Sequence, residues 1–151
     1  MKLENQKLLT LIKIIKENKL KVRVGIIGES AMRPDRLNNA TVGAFHEFGT
    51  SKMPMRSFLR MPLATKMDEY IQNVKNIFGT KVINAVYEER SMEPLLKRVG
   101  IVAERVVEDA FATEGFGSWA PLSPWTVEHK KNMQILTETG QLRKSITSEV
   151  K

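Results

Sequence analysis

His46-Glu47 is the first place in the chain where side-chain types suggest chemistry. A histidine beside a carboxylate can ligate a metal ion or pass a proton. The helical zinc signature needs a second histidine four residues after the first. Position 50 is Thr50, and the other histidine, His129, stands alone among polar residues. The pair therefore reads as structural, and no metal is expected. Gly115-Phe116-Gly117 and Gly25-Ile26-Ile27-Gly28 lack the lysine that a phosphate loop places after its glycines. Both read as turns. No serine stands in a G-x-S-x-G elbow, and a chain without cysteine has neither thiol chemistry nor disulfides. Trp119 and Trp125 flank a proline-rich loop, where an indole beside a basic residue can stack on a base. The commoner use is to plug the edge of a core. No catalytic residue and no cofactor is expected from these residues.

The elements around them are legible from periodicity. Residues 3–19 carry Leu8, Leu11, Ile12 and Ile15 at i, i+3, i+4 and i+7, with Leu9 and Ile14 widening the face. This predicts an amphipathic helix whose stripe packs within the protein. Residues 20–27 alternate as a half-buried strand. Residues 28–40 have loop chemistry and carry Arg33 and Arg36, candidates for partner contacts. Ala40–Phe48 reads as a short helix capped by Asn39, with Val42, Phe45 and Gly49 on one side. Ser57–Phe78 is expected to be one helix that Ser57 can cap, with Pro62 in its first turn or marking a later start, and Thr80–Glu89 a shorter one. A helix opening at Ser91 runs to about Ala112, and Gly100 in its middle marks a close helix crossing. Thr113–Pro124 is a Gly-Pro-aromatic loop. A short helix begins after Ser123-Pro124, Thr139 caps one further turn, and Thr147–Lys151 forms a terminal strand. The sum is a single α+β domain over residues 1–151, with a small, mainly antiparallel sheet and three or four packed helices.

Composition bounds the partners. The formal charge is +7, from 24 Lys and Arg against 17 Asp and Glu. That favours an acidic surface or nucleic acid, although the basic residues form no dense run. No apolar stretch reaches the ~18 residues of a membrane span, and the N-terminal segment lacks the pattern of a signal peptide. The absence of cysteine fits a reducing compartment.

Two segments together resemble one family. VGAFHEFGT followed by PMRSFLR is similar to the pattern A-x-I-H-E-F-G-T … I-P-A-R-S/P-F-L-R, with Met55 where alanine is usual. GFGSWAPLSPWT followed by ILTETGQLRKSI is similar to W-x-P-L-x-x-x-T … L-x-x-T-G-x-L-x-x-S-I. Both resemble the virion-morphogenesis or tail-completion (neck) proteins of tailed bacteriophages and prophages. The resemblance implies a non-enzymatic structural protein of the head–tail junction, assembled in the bacterial host cytoplasm and retained in the virion. It implies a homo-oligomeric ring, contacts with other neck, connector or tail proteins, and non-specific phosphate contact with passing DNA. A tail terminator of the same virion class is the nearest alternative, and a non-specific nucleic-acid-binding module the next. Ring contacts need different patches on two sides of one domain. Arg33, Arg36, Met53, Met55, Arg56, Phe58, Phe116 and Trp119 are the expected subunit or partner contacts.

Overall fold

The computed structural model of the chain describes residues 2–28, 38–131, 133–136 and 140–151. Helix α1 (Lys2–Glu17) leads into strand β1 (Val22–Ile26). Helices α2 (Asn39–Phe48) and α3 (Arg60–Asn73) follow, then a 3₁₀ turn at Lys75–Phe78. Next come α4 (Thr80–Glu89), the long α5 (Glu93–Ala112) and the short α6 (Pro124–His129) and α7 (Gln141–Lys144). Strand β2 (Ile146–Val150) closes the order. β1 and β2 pair antiparallel with Val24 opposite Ser148, so the small antiparallel sheet of the expected α+β domain forms from the two expected segments. Arg23 and Glu149, opposite one another, are joined at 3.1 Å.

Helix α5 lies along both strands and carries α3 and α4 on its other sides. Its buried residues include Val102, Ala103, Val106, Val107, Ala110 and Phe111, a 3.6-period stripe. Gly100 marks a close approach, but of a strand and not of another helix. A Cβ there would come within 2.6 Å of the Ser148 hydroxyl and 3.5 Å of Val22. The expected helix Ser57–Phe78 starts at Arg60, with Pro62 in its first turn, and is broken after Asn73, where the 3₁₀ turn takes over. Asn38, one residue before the expected cap, caps α2 by accepting from the Thr41 N–H at 2.7 Å. The expected Thr139 cap lies outside the described residues.

Helix α1 departs most from its pattern. Of its apolar residues only Ile14 is buried, while Leu8, Leu9, Ile12 and Ile15 are exposed. The helix docks on α4 through the edge that holds Ile14 and Lys7. The Lys7 ammonium donates to Asn84 Oδ1 at 2.5 Å and lies over the Tyr87 ring. The expected packing stripe is therefore left outside this chain's core.

Tyr70 ties α3 to α5, donating its phenol to Asp109 Oδ2 at 2.5 Å. Burial, then the bond to Asp109 and its charge, push the phenol up to about 12. An unfolded tyrosine ionises near ~10. Between those values the unfolded chain loses a proton that the folded one keeps, so stability falls as pH rises through this window. Denaturant melts at about pH 9 and about pH 11.5 should show a loss of stability for the parent that is smaller for Tyr70→Phe. Equal losses in the two proteins would refute the link.

Candidate functional site

The segments VGAFHEFGT–PMRSFLR and GFGSWAPLSPWT fold against each other. Glu47 is the centre of the first. It stands on α2 and is only 5% exposed. Its Oε2 accepts from the backbone N–H groups of Phe58 and Leu59 at 3.0 and 3.1 Å. Its Oε1 accepts from the Arg60 N–H at 3.0 Å and the Ser57 hydroxyl at 2.6 Å. The Ser57 oxygen in turn accepts from the Met61 N–H at 3.0 Å. Position 62 is proline and has no N–H, and the Leu63 N–H reaches the Leu59 carbonyl. Every donor at the start of α3 is thus satisfied, although its N-cap residue, Leu59, has no capping side chain. A carboxylate supplied from another helix replaces it, and its charge suits the positive end of the α3 dipole.

This bonding turns α2 inside out. Its buried residues are Asn39, Gly43 and Glu47, at i, i+4 and i+8. Gly43 leaves room for Ile26, Phe58 and Leu142, whose side chains would lie 2.9 to 3.4 Å from a Cβ at that position. The aromatic residues face outward: Phe45 is 45% exposed and Phe48 64%.

Arg56 joins the two segments. Its Nε and a terminal nitrogen donate to the carbonyls of Ala120 and Pro121, each at 2.8 Å. Burial pulls the guanidinium below its ordinary range and Glu114 opposes this. Trp119 returns the link, donating Nε1–H to the Ser57 carbonyl at 2.9 Å. Its ring meets Phe111 edge-on at 5.8 Å, and Phe111 packs on Phe58 at 5.1 Å. Val107, Ile135 and Leu142 complete this core cluster. No family model, curated protein or solved structure matches this chain.

The expected contact residues therefore divide. Arg56, Phe58 and Trp119 are buried, which corrects their reading as surface contacts. The guanidinium is engaged by two carbonyls, and both aromatic rings are core. Met55 is exposed as expected. Met53 is half-buried on a cleft of about 620 Å³ that is also lined by His46, Leu122, Trp125 and Lys130. Phe116 is half-buried with the Lys66 ammonium 5.4 Å from its ring. Arg33 and Arg36 lie outside the described residues. Trp125, in contrast to Trp119, is exposed and stacked on His129 at 4.4 Å.

Periodicity missed the residues that make the outer face. The Arg60 guanidinium lies 5.2 Å from the centre of the Phe48 ring and 3.9 Å from the Met55 sulfur. Phe45 is the i−3 neighbour of Phe48 on the surface of α2, and Met61 is exposed on the first turn of α3. Phe45, Phe48, Met55, Arg60 and Met61 form an exposed aromatic, methionine and arginine surface. Such side chains are enriched in protein interfaces, and grouped exposed apolar residues mark interaction sites more often than single ones. The signal in the sequence is Glu47 itself: a carboxylate at the i+4 spacing from Gly43 identifies a buried polar edge only once its donors are known.

Proposed function

We propose that this protein is a structural subunit of the head–tail junction of a tailed bacteriophage, acting in tail completion or as a neck protein. It works by assembling with copies of itself and with neighbouring neck, connector or tail proteins, and carries out no catalysis. The observation that carries this reading is how the residues of the two similar segments are used. Glu47, Arg56, Phe58 and Trp119 are spent on holding the corner together, and Phe45, Phe48, Met55 and Arg60 are left as an apolar, cation-bearing outer face. A scaffold that presents an adhesive surface fits assembly. The carboxylate of the His46-Glu47 pair is occupied by the start of α3. The excess of 24 basic over 17 acidic residues suits a subunit beside DNA held through phosphates alone.

The test is electron microscopy of lysates from the source phage or prophage with this gene deleted. DNA-filled heads separate from finished tails are expected. Tails of abnormal length would move the protein to the tail terminus. Intact, infectious virions would overturn the morphogenesis reading and leave nucleic-acid binding as the better one.

A further inference from the structure

The cleft of about 620 Å³ is lined by none of the residues of the outer face. Val42 and His46 reach it from α2, Trp125 and His129 from α6, and Leu142 from α7. Leu142 and Ile135 are each 4% exposed and form its floor, and Met53 and Leu122 are half-buried. Helix α6 buries none of its residues, and Trp125 on it is 69% exposed. A rigid indole open to solvent beside an apolar cleft is the kind of side chain that supplies binding energy at protein contacts. The charged residues of the lining are basic. Lys52 is exposed, Lys130 donates to the Gln134 carbonyl at 2.6 Å and Arg56 to two more carbonyls, so the described bonds of Lys130 and Arg56 are to neutral groups. No aspartate or glutamate is among the described residues that line the cleft. Glu114, the acid that acts on Arg56, is not one of them, and one of its oxygens accepts from the Ile135 N–H at 3.1 Å. Low-dielectric walls concentrate such a field, so the cleft attracts anionic groups.

From the pairing of an apolar floor with basic groups that no lining acid balances, we propose that this cleft binds an acidic peptide segment of a partner protein. A leucine or aromatic side chain of the segment lies on Leu142 and Ile135 beside Trp125, and its flanking carboxylates meet Lys52 and Lys130. Single-stranded nucleic acid also suits an exposed indole and lysines, but the lining disfavours it. The Ser123 and Thr126 hydroxyls bond each other at 2.8 Å, and Ser123 also accepts from the Thr126 N–H at 3.2 Å. A base entering the cleft would bring its ring nitrogens and carbonyls to Met53, Leu122 and Ile135, which replace none of their bonds to water. An apolar side chain gives up no such bonds and gains by leaving water. The occupant follows from the cleft alone, whatever place the protein takes in a virion.

Short random peptides are selected from a synthetic library on the full-length protein. The enriched peptides are expected to carry aspartate or glutamate beside leucine, phenylalanine or tryptophan. Both histidines of the chain line the cleft, so their imidazole NMR signals report on it directly and should shift on binding. Trp125→Ala should weaken binding at least about tenfold, as for an aromatic anchor. Lys52→Glu, a change at an exposed residue, should weaken it about tenfold by setting a carboxylate against a carboxylate. A lysine in place of one peptide acid should then restore part of the loss. Phe48→Ala, on the outer face, should leave the affinity unchanged. A selection that returns no binder, or peptides without acids, would overturn the proposal. So would peptides that bind Trp125→Ala and Lys52→Glu as tightly as the parent, or imidazole signals that stay still. An oligothymidylate that moves the imidazole signals at lower concentration than the peptides would overturn it in favour of nucleic acid. Signals that move with protein concentration alone would overturn it in favour of a second copy. The deletion phenotype is independent of these outcomes. Separated heads and tails without peptide binding would leave the junction reading standing and remove this site, and peptide binding with intact virions would do the reverse.

Discussion

Glu47→Ala should lower stability by about 3–5 kcal/mol, the range expected when one partner of a buried charged network is removed. In a chain of 151 residues this corresponds to a fall in Tm of roughly 10 °C, at about 2–4 °C per kcal/mol. The cost arises on two sides of the truncation. Three backbone donors, at Phe58, Leu59 and Arg60, lose their acceptor where water has little access. The Ser57 hydroxyl, fixed by the carboxylate, is then free to rotate away from the Met61 N–H. Glu47→Gln separates shape from charge. The amide keeps one acceptor oxygen but turns its NH₂ toward backbone N–H groups, so it should cost about 1–3 kcal/mol. Thermal melts of parent, Gln and Ala proteins order the three. An alanine variant that melts within about 2 °C of the parent would show that the carboxylate does not organise the start of α3. The effect should also be local first: amide exchange at residues 58–61 should accelerate more in Glu47→Ala than exchange in the centre of α5.

The same carboxylate explains why this corner was hard to read from sequence. Periodicity assumes that an amphipathic helix buries its apolar side, and it located α4 and α5 because those helices do so. In α2 the rule inverts. Glu47 is buried because it meets donors ten to thirteen residues further along the chain, a match that no local pattern contains. Once Glu47 faces in, Phe45 and Phe48 are turned toward solvent. Arg56 misleads in the same way. An arginine in a loop reads as a surface contact, yet its carbonyl partners are 64 and 65 residues distant in sequence. Helix α1 shows the other limit of pattern reading. The moment of its stripe was legible, but periodicity reports that an apolar face exists and not which surface covers it. The VGAFHEFGT–PMRSFLR stretch and the GFGSWAPLSPWT stretch form one structural unit. The Trp119 indole and the Arg56 guanidinium each bond backbone of the other segment.

Trp119→Ala should be as damaging as Glu47→Ala, at about 3–5 kcal/mol for the loss of a large core aromatic. The indole fills the space beneath Phe111 and satisfies the Ser57 carbonyl at 2.9 Å. Removing it opens a cavity and leaves that carbonyl without its donor. Trp119→Phe keeps most of the apolar ring and loses the N–H, so it should cost about 1–3 kcal/mol, the penalty of an unsatisfied buried acceptor. Fluorescence provides a check independent of melting. The chain has two tryptophans, and Trp125 is exposed. In Trp119→Phe the remaining emission should be red-shifted and readily quenched by iodide, whereas Trp125→Phe should leave blue-shifted, protected emission. Protected emission in Trp119→Phe would contradict the assignment of Trp119 to the core. The consequence extends to the surface, because Ser57 stands between the indole and Glu47, and Arg60 begins three residues later. Loosening Ser57 loosens the start of α3, and with it the Arg60 guanidinium that lies over Phe48. If the outer face is the adhesive one, Trp119→Phe should weaken assembly even at a temperature where it is fully folded, although Trp119 itself touches no partner. A variant that is less stable but assembles as tightly as the parent would show that the core and the outer face are energetically separate.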